Sequence, residues 1–433
     1  MGASQEPSPD LALGIDLGSS GLRLALIDAQ GTLLSERSGS YPLPFEQPEG
    51  WRRGLVELIG TLEEPLRARV GAIALDGTSG TLLLCGPDGS TRGPALPYHR
   101  ACPEQAGALA SLVPAGSAAA SASGSLARAL NLLSREGALD DSHHLLLRHQ
   151  ADWLMGWLLG HWRWGEEGNN LRLGWDLQRE SWAGRIEQQP WSSALPEVVP
   201  SGAALGPLGP QASEQLGLPA SCQVVSGTTD ANAAVLAAGP GPGDGVSVLG
   251  TTLVLKRFVD APLEGPGLTN HRVGGRWLVG GASNAGAGIL RRFFTPAQIE
   301  QLSRQIDPRR PSGLRLRPLP APGERFPVDA PQLEPVLEPR PISDALYLQA
   351  LLEGLTAIED QGWQRLAELG APPLERVISL GGGARNPQWR LLRQRALGIP
   401  VLNRPGLAPA LGTARLALGG WRMGPSLLPQ RRP

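Results

Sequence analysis

The run Asp16-Leu17-Gly18-Ser19-Ser20-Gly21 sets a carboxylate, hydroxyls and glycines side by side. Gly18 and Gly21 permit φ > 0, which can turn neighbouring backbone N–H groups toward one point, and Ser19 and Ser20 can donate beside them. Such a tip can hold phosphate oxygens, and the adjoining carboxylate of Asp16 can hold the Mg²⁺ that accompanies them. Taken alone, the run also reads as a tight turn in which an Asp caps its own backbone. The chain then offers a second run of the same kind, Gly250-Thr251-Thr252. Two such tips could hold two ends of one polyphosphate. Asp76-Gly77-Thr78-Ser79-Gly80 follows the first tip, and Ser226-Gly227-Thr228-Thr229-Asp230 precedes the second. Leu380-Gly381-Gly382-Gly383-Ala384-Arg385-Asn386 lies near the C-terminus.

The surrounding pattern predicts what carries these runs. Residues 11–28, LALGIDLGSSGLRLALID, are two short apolar stretches around a polar tip, which predicts a β-hairpin, and residues 245–258, GVSVLGTTLVLKRF, repeat it. Residues 32–37 predict a third strand. The apolar stretch 72–75 predicts a buried strand that delivers Asp76 at its end, and 81–85 the next strand. Residues 224–225 feed Asp230 into an Ala-rich helix over 231–238. Further helices are predicted over 51–70 with a break at Pro65, over 126–133 and 151–159, and over 344–369, whose leucines fall on one side. Strand 377–380 enters the glycines, Pro387 starts another helix, 401–402 is a short strand and 408–419 a final helix.

Residues 115–125 are low-complexity Ala/Ser/Gly and predict a mobile surface loop. The glycine-rich stretch 280–294 predicts a turn running into a helix. The proline-dense stretch 307–341 predicts an irregular belt. Trp153, Trp157, Trp162 and Trp164 read as packing residues, and His143, His144, His149 and His161 as solvated or capping histidines rather than metal ligands.

At 433 residues, with 41% hydrophobic and 18% charged content, the chain is long enough for two cores. A net charge of −1 implies no general attraction to nucleic acid or anionic membrane. No apolar run reaches the roughly 18 residues of a membrane helix. The polar start MGASQEPSPD reads as a loose leader rather than a signal peptide. Cys85, Cys102 and Cys222 are widely spaced without a CxxC pair, as expected of a reduced, cytoplasmic protein. Lys256 is the sole lysine and stands outside any GxxxxGK[ST] frame, which excludes a P-loop and disfavours Schiff-base chemistry.

In this order the motifs resemble the FGGY family of carbohydrate kinases, which share their duplicated fold with actin, hexokinase and the chaperone ATPases. Within it, the chain is most similar to the short cyanobacterial and plant kinases of D-ribulose. The resemblance spans residues 11–420 and implies an α/β protein of two actin/hexokinase-like (ribonuclease H-like) domains with a nucleotide cleft between them. The sugar and phosphate side would be residues 11–238, completed by the helix at 408–420. The adenosine side would be residues 239–407.

The resemblance also implies roles. Asp230 would be the general base that takes a proton from the sugar hydroxyl, although Thr228-Thr229-Asp230 ahead of an Ala-rich helix equally reads as an N-cap. Asp16 would hold Mg²⁺, and Gly18, Ser19, Ser20, Gly250, Thr251 and Thr252 the phosphates of ATP. Gly382 and Gly383 would let adenosine approach the backbone. Asn386 would hydrogen-bond the purine, and Trp389 would pack on it or in the helix core. Asp16, Thr78, Ser79 and Asp230 would surround the sugar. Ser19 stands where many relatives carry Thr and keeps the hydroxyl. Longer xylulose and glycerol kinases carry a Trp-x-Asp-x-Arg clamp where this chain reads Pro97-Tyr98-His99-Arg100-Ala101-Cys102, so their sugar is not carried over. The implied reaction is ATP-dependent phosphorylation of D-ribulose to D-ribulose 5-phosphate. A kinase for D-xylulose, glycerol or another small polyol stays open, as does an actin-like ATP-binding scaffold, which needs no base such as Asp230. Oligomeric state also stays open.

Overall fold

Each apolar hairpin seeds a sheet. The computed structural model describes residues 9–142 and 144–424, so His143 and most of the predicted leader lie outside the described residues. The described residues divide into two compact units: those from 9 to 237 with 272–275 and 408–424, and residues 238–271 with 276–407.

In the first unit β1 (Leu11–Leu17), β2 (Leu22–Ile27) and β3 (Leu33–Gly39) form an antiparallel meander. Strand β4 (Val70–Gly77) pairs parallel with β1, and β5 (Ala204–Pro207) and β6 (Gln223–Thr229) complete the order β5-β6-β4-β1-β2-β3. Every residue of β1 and β4 is buried, because helices cover both faces and such strands become continuous apolar runs. Leu13 and Ile15 join Trp51 and Leu55 of helix α1 (Pro48–Gly60) in one core. Gly14 points to the other face, where the C-terminal helix Pro409–Met423 lies on the strand. A Cβ at Gly14 would stand 2.1 Å from the backbone nitrogen of Ala414, so the helix sits this close only because Gly14 has no side chain.

A further apolar cluster gathers Leu82, Leu126, Leu133 and Trp191. Here the expectation of a loose loop over 115–125 is corrected. Ser117 caps a short 3₁₀ turn, Ala118–Ala120, and Ala119 is buried in that cluster. His149 is likewise buried rather than solvated, its Nε2 3.1 Å from Ser125 Oγ. His161 packs edge-on against Trp164, and His144 is exposed. Trp153 and Trp157 are core residues, with Trp162 and Trp164 packed against them.

The second unit repeats the scheme. Strands β7 (Asp244–Leu249), β8 (Leu253–Val259) and β10 (Arg276–Ala282) are antiparallel, β11 (Arg376–Leu380) and β12 (Val401–Asn403) extend β7 in parallel, and β9 (Leu268–Val273) lies at the edge. Gly280 and Gly281 fall inside β10, and the only helical structure before Pro296 is the 3₁₀ segment Ala287–Arg292, not the predicted α-helix. The belt expected over 307–341 is irregular but not loose: Leu316, Leu319 and Phe326 are buried in the core of the unit. The long helix, Asp344–Glu368, is capped by Ser343 and lays Leu348, Leu351, Leu352 and Leu355 into that core. Beneath the sheet Arg393 binds Glu359 (2.6 Å) and Ser379 (2.6 Å), and Ser247 donates to Glu359 (2.5 Å). Among the described residues no helix is long and apolar enough to cross a membrane.

Candidate functional site

In the first unit the parallel strands β1, β4 and β6 end side by side, and each ends in chemistry. Asp16 is aligned with Asp76, and Asp76 with Thr228. Asp230 opens helix α2 (Asp230–Ala238) immediately after β6. Asp16 is almost wholly buried and accepts from Arg23 Nη1 at 2.9 Å across the hairpin, a partner the sequence reading did not single out. Beyond it Ser19 and Ser20 are exposed at the tip. Gly21 takes a positive φ of 153°, whereas Gly18 does not need one; its carbonyl instead accepts from the Tyr41 hydroxyl at 2.8 Å.

Asp76 is fully buried. Its Oδ2 accepts from the Thr413 hydroxyl of the C-terminal helix, while Oδ1 has no hydrogen-bond partner. Burial first, and then the neighbouring Asp16, pushes its carboxyl well above the usual carboxylate range.

Thr78 departs from expectation. Its hydroxyl donates to Gln150 Oε1 at 2.8 Å and lies 2.6 Å from Thr81 Oγ1, and its N–H reaches the same Gln150 oxygen at 3.2 Å. The group expected to meet a sugar is spent on orienting Gln150, whose Nε2 in turn reaches Tyr41 Oη at 3.4 Å. Ser79, next in the turn, is half-buried. Asp230, the first residue of α2, accepts at Oδ1 from the N–H of the next residue, Ala231, at 2.8 Å and remains half-exposed. A carboxylate that accepts a backbone N–H can still take a proton.

The segment replacing the Trp-x-Asp-x-Arg clamp is also held internally. Arg128, fully buried, donates to the carbonyls of Tyr98 (2.9 Å) and Arg100 (2.7 Å). Burial pushes its guanidinium down to about 10.

In the second unit a cavity of about 740 Å³ is bounded by Gly250, Thr251, Gly382, Gly383 and Asn386 and by helix Pro296–Ser303. Thr252 does not line it. The hairpin tip is clamped from behind. Ala287 and Gly288 donate to the carbonyls of Gly250 and Thr251, and Glu324 of the belt secures Ser283 and Asn284 just before them. Gly381, at φ 81°, turns the chain out of β11 into a 3₁₀ turn over Gly382–Arg385.

Asn386 and Trp389, expected at the base, are both engaged in the fold. Asn386 Oδ1 caps helix Pro387–Leu397 by accepting from the N–H groups of Gln388 and Trp389, both at 3.0 Å, and its Nδ2 donates to Ser303. Trp389 is buried in the core and donates to Thr356 Oγ1 at 3.0 Å, so its ring is wall rather than platform. Both residues border the cavity, but their polar atoms serve the fold.

Among the described residues no group of three or more His, Cys, Asp or Glu could hold a metal ion. Asp16 and the hydroxyls at its tip are hard oxygen donors of the kind that could hold Mg²⁺ together with nucleotide phosphates.

Comparison with known proteins shows what the second unit is similar to. Residues 245–421 match the FGGY family of carbohydrate kinases, C-terminal domain. The matched stretch includes both the hairpin tip at Gly250 and the glycines at 381–383. The chain is 26% identical over 300 residues to an L-fuculokinase of Salmonella typhi, a match covering 64% of this chain and 62% of that protein. The match thus spans less than two thirds of that relative's length. Among solved structures, a xylulose kinase from Rhodospirillum rubrum superposes with a TM-score of 0.78 at 20% identity, covering 96% of this chain and 92% of that one. A glycerol kinase of Plasmodium falciparum with ADP superposes at 0.77 and 14% identity, covering 95% and 89%. The α/β fold of these structures therefore extends over nearly the whole chain.

Proposed function

We propose that the protein is an ATP-dependent carbohydrate kinase that converts D-ribulose to D-ribulose 5-phosphate. The observation that carries this reading is the convergence of Asp16, Asp76 and Asp230 at the carboxyl ends of three adjacent parallel strands, where α/β sheets bind their ligands. Asp230 accepts the proton of the sugar's C5 hydroxyl as that oxygen bonds to the γ-phosphorus and the bond to ADP breaks. Asp16, Gly18, Ser19 and Ser20 receive the phosphate end, with Gly250, Thr251 and Thr252 on the remaining phosphates. A Mg²⁺ bound with the nucleotide neutralises the phosphate charge. Gly382 and Gly383 admit the adenosine. Ser79 and Asp230 meet the sugar, while Thr78 acts on it only through Gln150.

The choice of D-ribulose rests on the likeness to the short pentulose kinases and on the missing Trp-x-Asp-x-Arg clamp. D-xylulose is the second reading, supported by the superposition on xylulose kinases. A coupled ADP-release assay over D-ribulose, D-xylulose, L-ribulose, L-fuculose and glycerol tests both. The highest kcat/KM is expected for D-ribulose. A higher value for another sugar overturns the substrate, and no turnover with any of them overturns the kinase.

A further inference from the structure

Three successive residues of the proline-dense belt grip one short segment at the end of β10. Arg325 Nε donates to the carbonyl of Ala282 at 2.7 Å. The Glu324 carboxylate accepts from Ser283 Oγ at 2.5 Å and from the Asn284 N–H at 2.7 Å. Asn284 Nδ2 donates in turn to the carbonyl of Gly323 at 3.0 Å. Glu324 is only 4% exposed, and its backbone exchanges two 2.9 Å hydrogen bonds with Ala330. Leu316, Leu319 and Phe326 already seat the belt in the core. A carboxylate buried beside them costs free energy that its charge-assisted bonds must offset. What those bonds fix is the position of 282–284.

That segment runs straight into the support of the hairpin tip. Ser283 Oγ also accepts from the Ala285 N–H at 2.9 Å, and the Ala285 carbonyl accepts from Leu253 at 2.7 Å. Ala287 then donates to the carbonyl of Gly250 at 2.9 Å, and Gly288 to that of Thr251 at 3.2 Å. The fit is close. A Cβ on Gly286 would stand 2.4 Å from the Thr251 carbonyl oxygen, and one on Gly288 2.7 Å from Thr251 Cγ2. Across a planar trans peptide, the C=O and the following N–H point in opposite directions. Drawing the carbonyls of Gly250 and Thr251 toward the support therefore turns the N–H groups of Thr251 and Thr252 away from it, as successive donors suited to an anion.

Resting on the nucleotide reading above, we propose that Glu324 is a positioning residue for phosphate binding, which sets the direction of the Thr251 and Thr252 N–H groups through 282–288. Glu324 does not line the cavity and touches no part of the nucleotide. Its effect falls on the phosphates alone, because the segment it holds supports the tip and not the glycine turn at 381–383.

Dissociation constants for ADP and for adenosine, which lacks the phosphates, test this by calorimetry without any sugar. Glu324→Ala should weaken ADP roughly 10-fold, as loss of one hydrogen bond to a charged group does, and leave adenosine within about 2-fold. Glu324→Gln keeps an oxygen for the Asn284 N–H and an amide for Ser283 Oγ, so it should recover most of the ADP affinity. Ser283→Ala deletes a single hydroxyl, a milder change for the case in which Glu324→Ala does not fold. It should weaken ADP roughly 3-fold, again without moving adenosine. Losses that are equal for ADP and adenosine, or absent for both, overturn the inference while leaving the kinase reading intact. A wild type that binds ADP no tighter than adenosine, or binds neither, overturns the nucleotide reading and this inference together.

Discussion

Asp16 and Asp76 stand opposite one another in the parallel pair β1–β4, and the hydroxyl of Thr413 closes on the far oxygen of Asp76. Burial first, and then the neighbouring Asp16, holds the carboxyl of Asp76, the fully buried one, well above the usual carboxylate range. An acid with a raised folded-state pKa binds more protons folded than unfolded. Its contribution to stability is therefore greatest at low pH and declines as pH rises from its unfolded value of about 4 toward the folded one. Asp76→Asn mimics the protonated form and can still accept from Thr413. Its melting temperature should gain on the wild type as pH is raised from about 5 to about 8. Parallel curves across that range would show that Asp76 is ionised in the fold.

Asp230 opens helix α2 in the structure and is the base in the proposal, and the two roles separate on substitution. Asp230→Asn keeps an oxygen that can accept from the Ala231 N–H but cannot take a proton. Turnover should fall at least about 100-fold with the Kd for ADP nearly unchanged. Near-normal turnover in a folded variant would leave Asp230 a helix-start residue alone.

Neighbouring glycines of the adenosine loop should respond differently. A Cβ on Gly382 meets nothing within 4 Å, whereas one on Gly383 would stand 2.5 Å from the Trp389 ring and 2.8 Å from Leu249 Cβ. Gly382→Ala should keep the melting temperature and raise the KM for ATP more than it lowers kcat. Gly383→Ala should lower the melting temperature first, by overpacking worth about 1–3 kcal/mol. A shift in the sugar KM alone on Gly382→Ala would move the nucleotide elsewhere.

Arg393 and Glu359 form a fully buried ion pair under the sheet of the second unit. Removing one partner strands the other charge, so Arg393→Met should cost about 3–5 kcal/mol in denaturant unfolding. The double variant Arg393→Met/Glu359→Gln should recover part of that loss, since no charge is left unpaired. A double variant no better than the single one would assign the cost to lost packing.

What the sequence determined by itself was whatever depends on neighbours in the chain. The alternation of apolar runs with Gly, Ser and Thr tips places both hairpins, because strand burial and turn chemistry are local. Asn386-Pro387 marks a helix start for the same reason, since Pro suits a first turn and Asn caps it. The carboxylates at the ends of β1, β4 and β6 were visible as residues, but not their states. Those were decided by partners far away in sequence: Thr413, 337 positions from Asp76, and Gln150, 72 positions from Thr78. Asn386 could equally have faced a purine until its bond to Ser303, 83 positions earlier, took its amide. Trp389 could have been a platform until Thr356 took its N–H. A polar side chain makes few hydrogen bonds, and in a buried setting it makes them with whatever the fold brings within about 3 Å. Residue type sets what a group can do, and the tertiary structure, by supplying or withholding that one partner, sets which of those things it does.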